Sequence, residues 1–275
     1  MTLEALLHNP NSLPAAPRLV EELIASFDHD DVAVEDIARK LSVDPVMSAK
    51  LLRLANSSYY HVSRRIGNVG DAVRMLGFVT VRTLVVSSGL VGSFKTVPGF
   101  DLKRFWRYSL HTAVGARWIA GKAGANADLA FTIGMMHALG QLVMHAGAAA
   151  QALAVDKTVG VYEAGRLEAE TALFGYNFSE VGAALAELWK FPELFPRSLR
   201  EFPAPAALSP PNRMAAVIHL AAWRARSAEV QASDTELAAT LALEVAALLG
   251  LPADTLLKEM PSLAELSAGL EELIH

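Results

Sequence analysis

The sequence predicts an all-α fold, a multi-helix bundle with an N-terminal helical subdomain. Three observations point there. Apolar residues recur at three- and four-residue intervals along most of the chain. Capping residues stand at the starts of the periodic runs, and glycines or prolines at their ends. The single β-branched run, Val79–Val91, has no partner strand nearby, and an isolated strand is not stable alone.

The elements follow in chain order. After Pro14 and Pro17, Leu19, Leu23, Ile24 and Phe27 line one helical face. Val34–Leu41 repeats the pattern, with Glu35 and Asp36 in a first turn that favours negative charge. Asp44-Pro45 reads as an N-cap followed by proline at the first helical position. The helix it opens should pack Met47, Leu51 and Leu54, and Asn56 should hydrogen-bond where that helix ends. Asn68–Leu76 is a short amphipathic helix stopped by Gly77. Val79–Val91 is read as helix despite its β propensity. Lys95–Asp101 contains Pro98-Gly99 and marks the main internal boundary. Helices are then expected over Phe105–Lys122, Leu129–Ala146 (one or two), Val161–Phe174 and Phe178–Leu188. Glu201–Pro211 is proline-rich loop, and two or three helices follow, over Met214–Arg226 and Thr235–Leu249. The regions this suggests are 1–98, 99–205 and 206–275.

Composition excludes several function classes. The 275 residues contain no cysteine, which removes disulfides, thiolate metal sites and cysteine nucleophiles. Charged residues make up 19 %, too few and too mixed with apolar ones for a disordered chain. A net charge of −5 gives no electrostatic drive toward nucleic acid or acidic membranes. The start, Met1-Thr2-Leu3-Glu4, lacks the basic and apolar segments of a signal peptide. Leu129–Val155 carries no Lys, Arg, Asp or Glu, and about 20 apolar residues suffice to span a bilayer. It also holds His137, Gln141, His145 and Gln151, which are costly in lipid, so a buried helix pair is expected. The expected setting is cytoplasmic, without membrane contact.

Four groups of residues invite a chemical reading. Glu35–Leu52 has helix-turn-helix spacing and would offer Ser48, Lys50 and Arg53 to a groove. The acidic Asp28, Asp30, Asp31, Glu35 and Asp36 just upstream oppose phosphate contact, so a structural helix pair is preferred. His111, His137 and His145 could ligate a metal, but no carboxylate lies between Asp128 and Asp156. Neutral core histidines are the expected reading. No G-x-S-x-G, P-loop or G-x-G-x-x-G pattern is present. Arg64-Arg65 and the Lys103, Arg104, Arg107 cluster could hold an anion, although charge runs usually mark solvated faces.

Asp44-Pro45-Val46-Met47-Ser48-Ala49-Lys50-Leu51-Leu52-Arg53-Leu54-Ala55-Asn56-Ser57 resembles the signature of the HDOD domain, a bacterial regulatory relative of the HD phosphohydrolases. The likeness continues through Ile66–Gly77, Gly134–Val143 and Glu170–Trp189 with Phe191-Pro192. It covers about Leu13 to Phe202, and more weakly extends to Trp223. It implies an HD-like bundle in which 99–205 is a degenerate HD half and 206–275 packs on the core. Asp44, Pro45, Asn56, Glu170 and Trp189 are then signature residues of structural role. The resemblance also implies a lost metal set. His111 and His137 stand at the histidine positions, but Ala138 replaces the paired aspartate. Gly140-Gln141 stands for glycine-lysine, Phe178 for a frequent histidine, and Glu201-Phe202 for a histidine pair. His219–Ala222 supplies no carboxylate near the last aspartate position.

The expectation is a non-catalytic signalling protein without cofactor. It would recognise a partner protein, acting in trans, or a small ligand in the vestigial pocket of His111, His137 and Gln141. The alternatives are a residual metal-dependent phosphohydrolase on nucleotides or cyclic dinucleotides, and a DNA-binding regulator using segment 35–52.

Overall fold

The computed structural model describes residues 1–9, 18–26 and 34–274. Phe27, Pro14, Pro17, Asp28, Asp30 and Asp31 lie outside the described residues. Among the described residues there are seventeen α-helices and no strand.

The N-terminal part contains α1 (Leu3–Leu7), α2 (Arg18–Ala25), α3 (Val34–Val43), α4 (Pro45–Ala55), α5 (Val69–Leu76) and α6 (Phe78–Ser93). The middle contains α7 (Leu102–Lys122), α8 (Ala127–Met136), α9 (Leu139–Gly147), α10 (Ala149–Asp156), α11 (Arg166–Phe174), α12 (Phe178–Leu188) and α13 (Leu194–Glu201). The remainder contains α14 (Arg213–Glu229), α15 (Asp234–Thr240), α16 (Leu243–Leu249) and α17 (Leu263–Ser267). Short 3₁₀ turns cover Pro205–Ala207 and Glu271–Ile274, and a single wide π-helical turn covers Thr255–Glu259.

Local chemistry accounts for the boundaries. The Asp44 carboxylate accepts the amides of Val46 and Met47 at 3.0 Å, and Pro45 opens α4 where its missing N–H costs nothing. Asn177 caps α12 reciprocally with Glu180, and Gly175 ends α11 in the left-handed region. The β-branched run of α6 is helical because it is buried on every side from Val81 to Val91. Burial of that length overrides a weak strand propensity.

Two boundaries differ from the sequence expectation, and one that the sequence left open is resolved. Helix does not begin at Val161 but at Arg166, after Gly165 at φ +84°. Of the two or three helices expected beyond Met214 there are three up to Leu249, because Leu241 is extended between α15 and α16. Leu194–Glu201 is helical although Pro196 lies in it, since a proline in the first turn removes no intrahelical bond.

The long α7 is the axis of the molecule. It packs on α8, α14 and α17, while α6 lies against α8 and joins the N-terminal helices to the rest. Residues Ala127–Gly147 are apolar and long enough to cross a membrane, but 89 % of their most apolar window is buried inside this fold. α9 meets α12 at backbone distance. A Cβ on Gly140 would overlap the Phe178 carbonyl oxygen and lie 2.9 Å from the Gly182 nitrogen. This contact places Gln141 and His137 beside the start of α12.

Candidate functional site

The candidate residues sit around α7, the α8–α9 junction and α14; of His111, His137 and Gln141, Gln141 lines the cleft described below and the two histidines do not. Tyr108 and His111 lie one turn apart on α7. His137 ends α8, and Gln141 sits in the first turn of α9.

His137 is fully buried. Its Nδ1–H donates to the Gly134 carbonyl at 2.7 Å, which a carbonyl oxygen requires, so Nε2 of the neutral ring is a bare acceptor. That Nε2 has no partner. Tyr108 and Phe202 enclose the ring edge-on, with centroids 4.9 and 6.0 Å away. Burial pushes the imidazole down to about 4, with the Gly134 bond opposing and the Arg226 charge adding to the shift. His111, half-buried, is also held below its ordinary value by burial, and its Nδ1 is unpartnered. Ala138 is buried and brings no donor. Gln141 is 2 % exposed; its Nε2 reaches the Val161 carbonyl at 3.3 Å and its Oε1 has no partner.

His145 does not join them. Its Nδ1–H donates to Gln141 O at 2.7 Å and its Nε2 meets Asp156 at 2.9 Å. Asp156 in turn accepts Arg166 at 2.6 Å, and Arg166 donates to the buried Glu170 at 2.6 Å. The second Glu170 oxygen accepts the Phe178 amide at 2.7 Å. This chain ties α9, α10 and α11 to the first residue of α12, and it is structural.

The other sequence candidates are distributed elsewhere. Arg104 and Arg107 both bind Glu229, at 2.9 Å each, instead of facing solvent freely. Burial pushes the Glu229 carboxyl up, but hydrogen bonds and charge from Arg107 and Arg104 outweigh it and hold it below the usual carboxylate range. Arg64 and Arg65 are exposed. In the helix-turn-helix-like segment, Ser48 donates back to Leu41 O at 2.6 Å and Arg53 pairs with Glu272 at 2.6 Å. Asn56 ends α4, donating to Leu52 O at 2.7 Å and Ile66 O at 2.9 Å and accepting the Ile66 amide at 2.7 Å. Trp189 ends α12 and is buried in the core.

The donor set does not fit a catalytic divalent cation. Among the described residues no group of three or more His, Cys, Asp or Glu side chains could hold a metal ion. A catalytic zinc usually keeps three protein ligands, and hard cations require carboxylate oxygens.

Sequence reading missed the opposite wall. Tyr108, Gln141, Phe178 and Phe202 line a cleft of about 190 Å³ whose far side carries His219 and Arg226 of α14 and the start of α11. His219, Ala222 and Arg226 are spaced three and four apart, so one face of α14 was readable. What that face would meet was not.

The comparisons with known proteins agree on the fold. A solved structure from Shewanella amazonensis SB2B, named "Putative phosphohydrolase", is 32 % identical with a TM-score of 0.79, covering 98 % of this chain and 96 % of that one. An HDOD domain protein with unknown function from Geobacter sulfurreducens is 24 % identical with a TM-score of 0.80, covering 98 % and 97 %. An uncharacterized protein of Treponema pallidum (strain Nichols) is 24 % identical over 185 residues, 66 % of this chain. The match takes in 36 % of that protein, so the chain spans about a third of the length of this curated relative. The HDOD domain model matches residues 13–205, and the chain therefore belongs to the HDOD domain family.

Proposed function

We propose that this chain is a non-catalytic regulatory module of a bacterial signalling pathway, working by recognition of a partner protein or a small ligand. One observation carries the reading: at the positions where the family resemblance puts metal ligands, the chain has His111 and His137, both held below the ordinary histidine value by burial, and Ala138 instead of a carboxylate. The unpartnered Nε2 of His137 is buried in a ring packed edge-on against Tyr108 and Phe202, and Ala138 offers no side-chain oxygen. Without carboxylates there is nothing to bridge a metal pair or to balance its charge. The activity named for the Shewanella neighbour needs donors that the described residues do not bring together. The setting we infer is cytoplasmic. Ser48 and Arg53 are engaged within the fold, which speaks against a DNA-reading role for segment 35–52.

The test is metal content of the untagged protein by inductively coupled plasma mass spectrometry, with hydrolysis of bis(p-nitrophenyl) phosphate. The expected result is near-zero metal, no thermal shift with manganese, magnesium, iron or zinc, and no hydrolysis. Stoichiometric metal that disappears in His111→Ala would replace this reading with phosphodiester hydrolysis.

A further inference from the structure

We infer that the cleft between α11 and α14 is a binding site for a small organic anion that also carries hydrogen-bond donors. The inference deepens the recognition reading above and rests on it. The positive end of the site has two sources. The first turn of α11 opens on the cleft through Gly165, Arg166, Leu167 and Glu168, and no side chain caps it. The amides that begin a helix have no intrahelical partner, and the helix dipole adds positive potential there. Across the cleft stands Arg226, half-buried and without an ion pair among the described residues. Its neighbours Arg104 and Arg107 are both held by Glu229, so Arg226 is the guanidinium left for a ligand.

The other end accepts hydrogen bonds. Gln141 is 2 % exposed, lines the cleft, and keeps its Oε1 without any partner. A buried acceptor left unmade is costly, so this atom points to a group that completes it. Turning the amide over would set Oε1 against the Val161 carbonyl, so the orientation is determined. His219 donates Nδ1–H to the Phe202 carbonyl at 2.9 Å, which makes its other nitrogen a second acceptor. Burial holds this ring below its ordinary value and so keeps it neutral. Between the two ends lie the rings of Tyr108, Phe178 and Phe202. Glu163 and Glu168 are exposed and stand at the rim, where water screens them from the interior. The pattern suits a carboxylate or phosphate at α11 and Arg226, with an O–H or N–H directed at Gln141 and His219.

Inorganic phosphate and glycolate carry both features in minimal form. Titration of the full chain with each, followed by isothermal calorimetry, should give saturable binding of at least one at millimolar concentration. Arg226→Gln should weaken it by about tenfold or more, the loss of a charged hydrogen bond. Arg74→Gln, far from the cleft, should leave it unchanged, and circular dichroism should show both variants folded. Preference for one probe assigns the headgroup as phosphate or carboxylate. Absence of saturable binding for both probes, or equal affinity in Arg226→Gln, overturns the inference. Metal content measured on the same sample separates the two levels: stoichiometric metal would end the non-catalytic reading, whereas a metal-free chain that ignores both anions ends only this one.

Discussion

At the scale of the residue, His137 is where burial has the clearest thermodynamic consequence. Folding lowers its proton affinity from 6.5 to about 4, so the unfolded chain binds more protons between those values. Stability from this residue is complete above pH 6.5 and falls as the pH drops toward 4, by about 3 kcal/mol in total. His111 and His219 are shifted in the same direction and steepen the fall. Urea unfolding of the wild type against pH should show the loss, and His137→Gln, which does not titrate, should flatten the slope by its share. An unchanged slope would mean that His137 takes up its proton alike in the folded and unfolded chain. That His137, Ala138 and Gln141 lie near one another was legible, because only the α8–α9 junction separates them along the chain. Arg226 was not, since its role depends on α14 returning across the bundle to face α11.

At the scale of the element, the glycines of α9 and α12 decide how close the two helices come. Gly140→Ala would force a methyl group against the Phe178 carbonyl, and backbone cannot yield as a side-chain tip does. The expected loss is about 3 kcal/mol or more in urea unfolding, at the upper end of overpacking effects. Gly121→Ala on α7 meets nothing within 4 Å and should leave stability unchanged or raise it by at most about 1 kcal/mol. Helix starts such as Asp44-Pro45 and Asn68 were readable because their caps are local. The true start of α11 was hidden, because amphipathic spacing continues through Val161 while Gly165 takes a left-handed conformation that composition alone does not reveal.

At the scale of the whole molecule, the family match ends at 205 but the core does not. α14 covers α7 and α8, and the last turn, Glu271–Ile274, packs against α4, α6 and α7. Leu256, Leu263, Leu270 and Leu273 are all buried. A chain ended after Pro205 should therefore lose cooperative unfolding and bind the dye ANS, whereas the full chain should unfold in one urea transition. Two independent transitions in the full chain would show separate folding units instead. The all-α class was legible from periodicity, but this closure was not, because it joins segments distant in sequence. It also has a meaning during synthesis. The apolar stretch Ala127–Gly147, with Asp128 its one charged residue, leaves the ribosome well before α14 exists to cover it. At about 5–20 residues per second, a segment as greasy as a membrane span waits several seconds half-covered. For that interval the nascent chain is a client for chaperones, and its safe arrival in the folded state depends on α6 and α7, already made, sheltering it first.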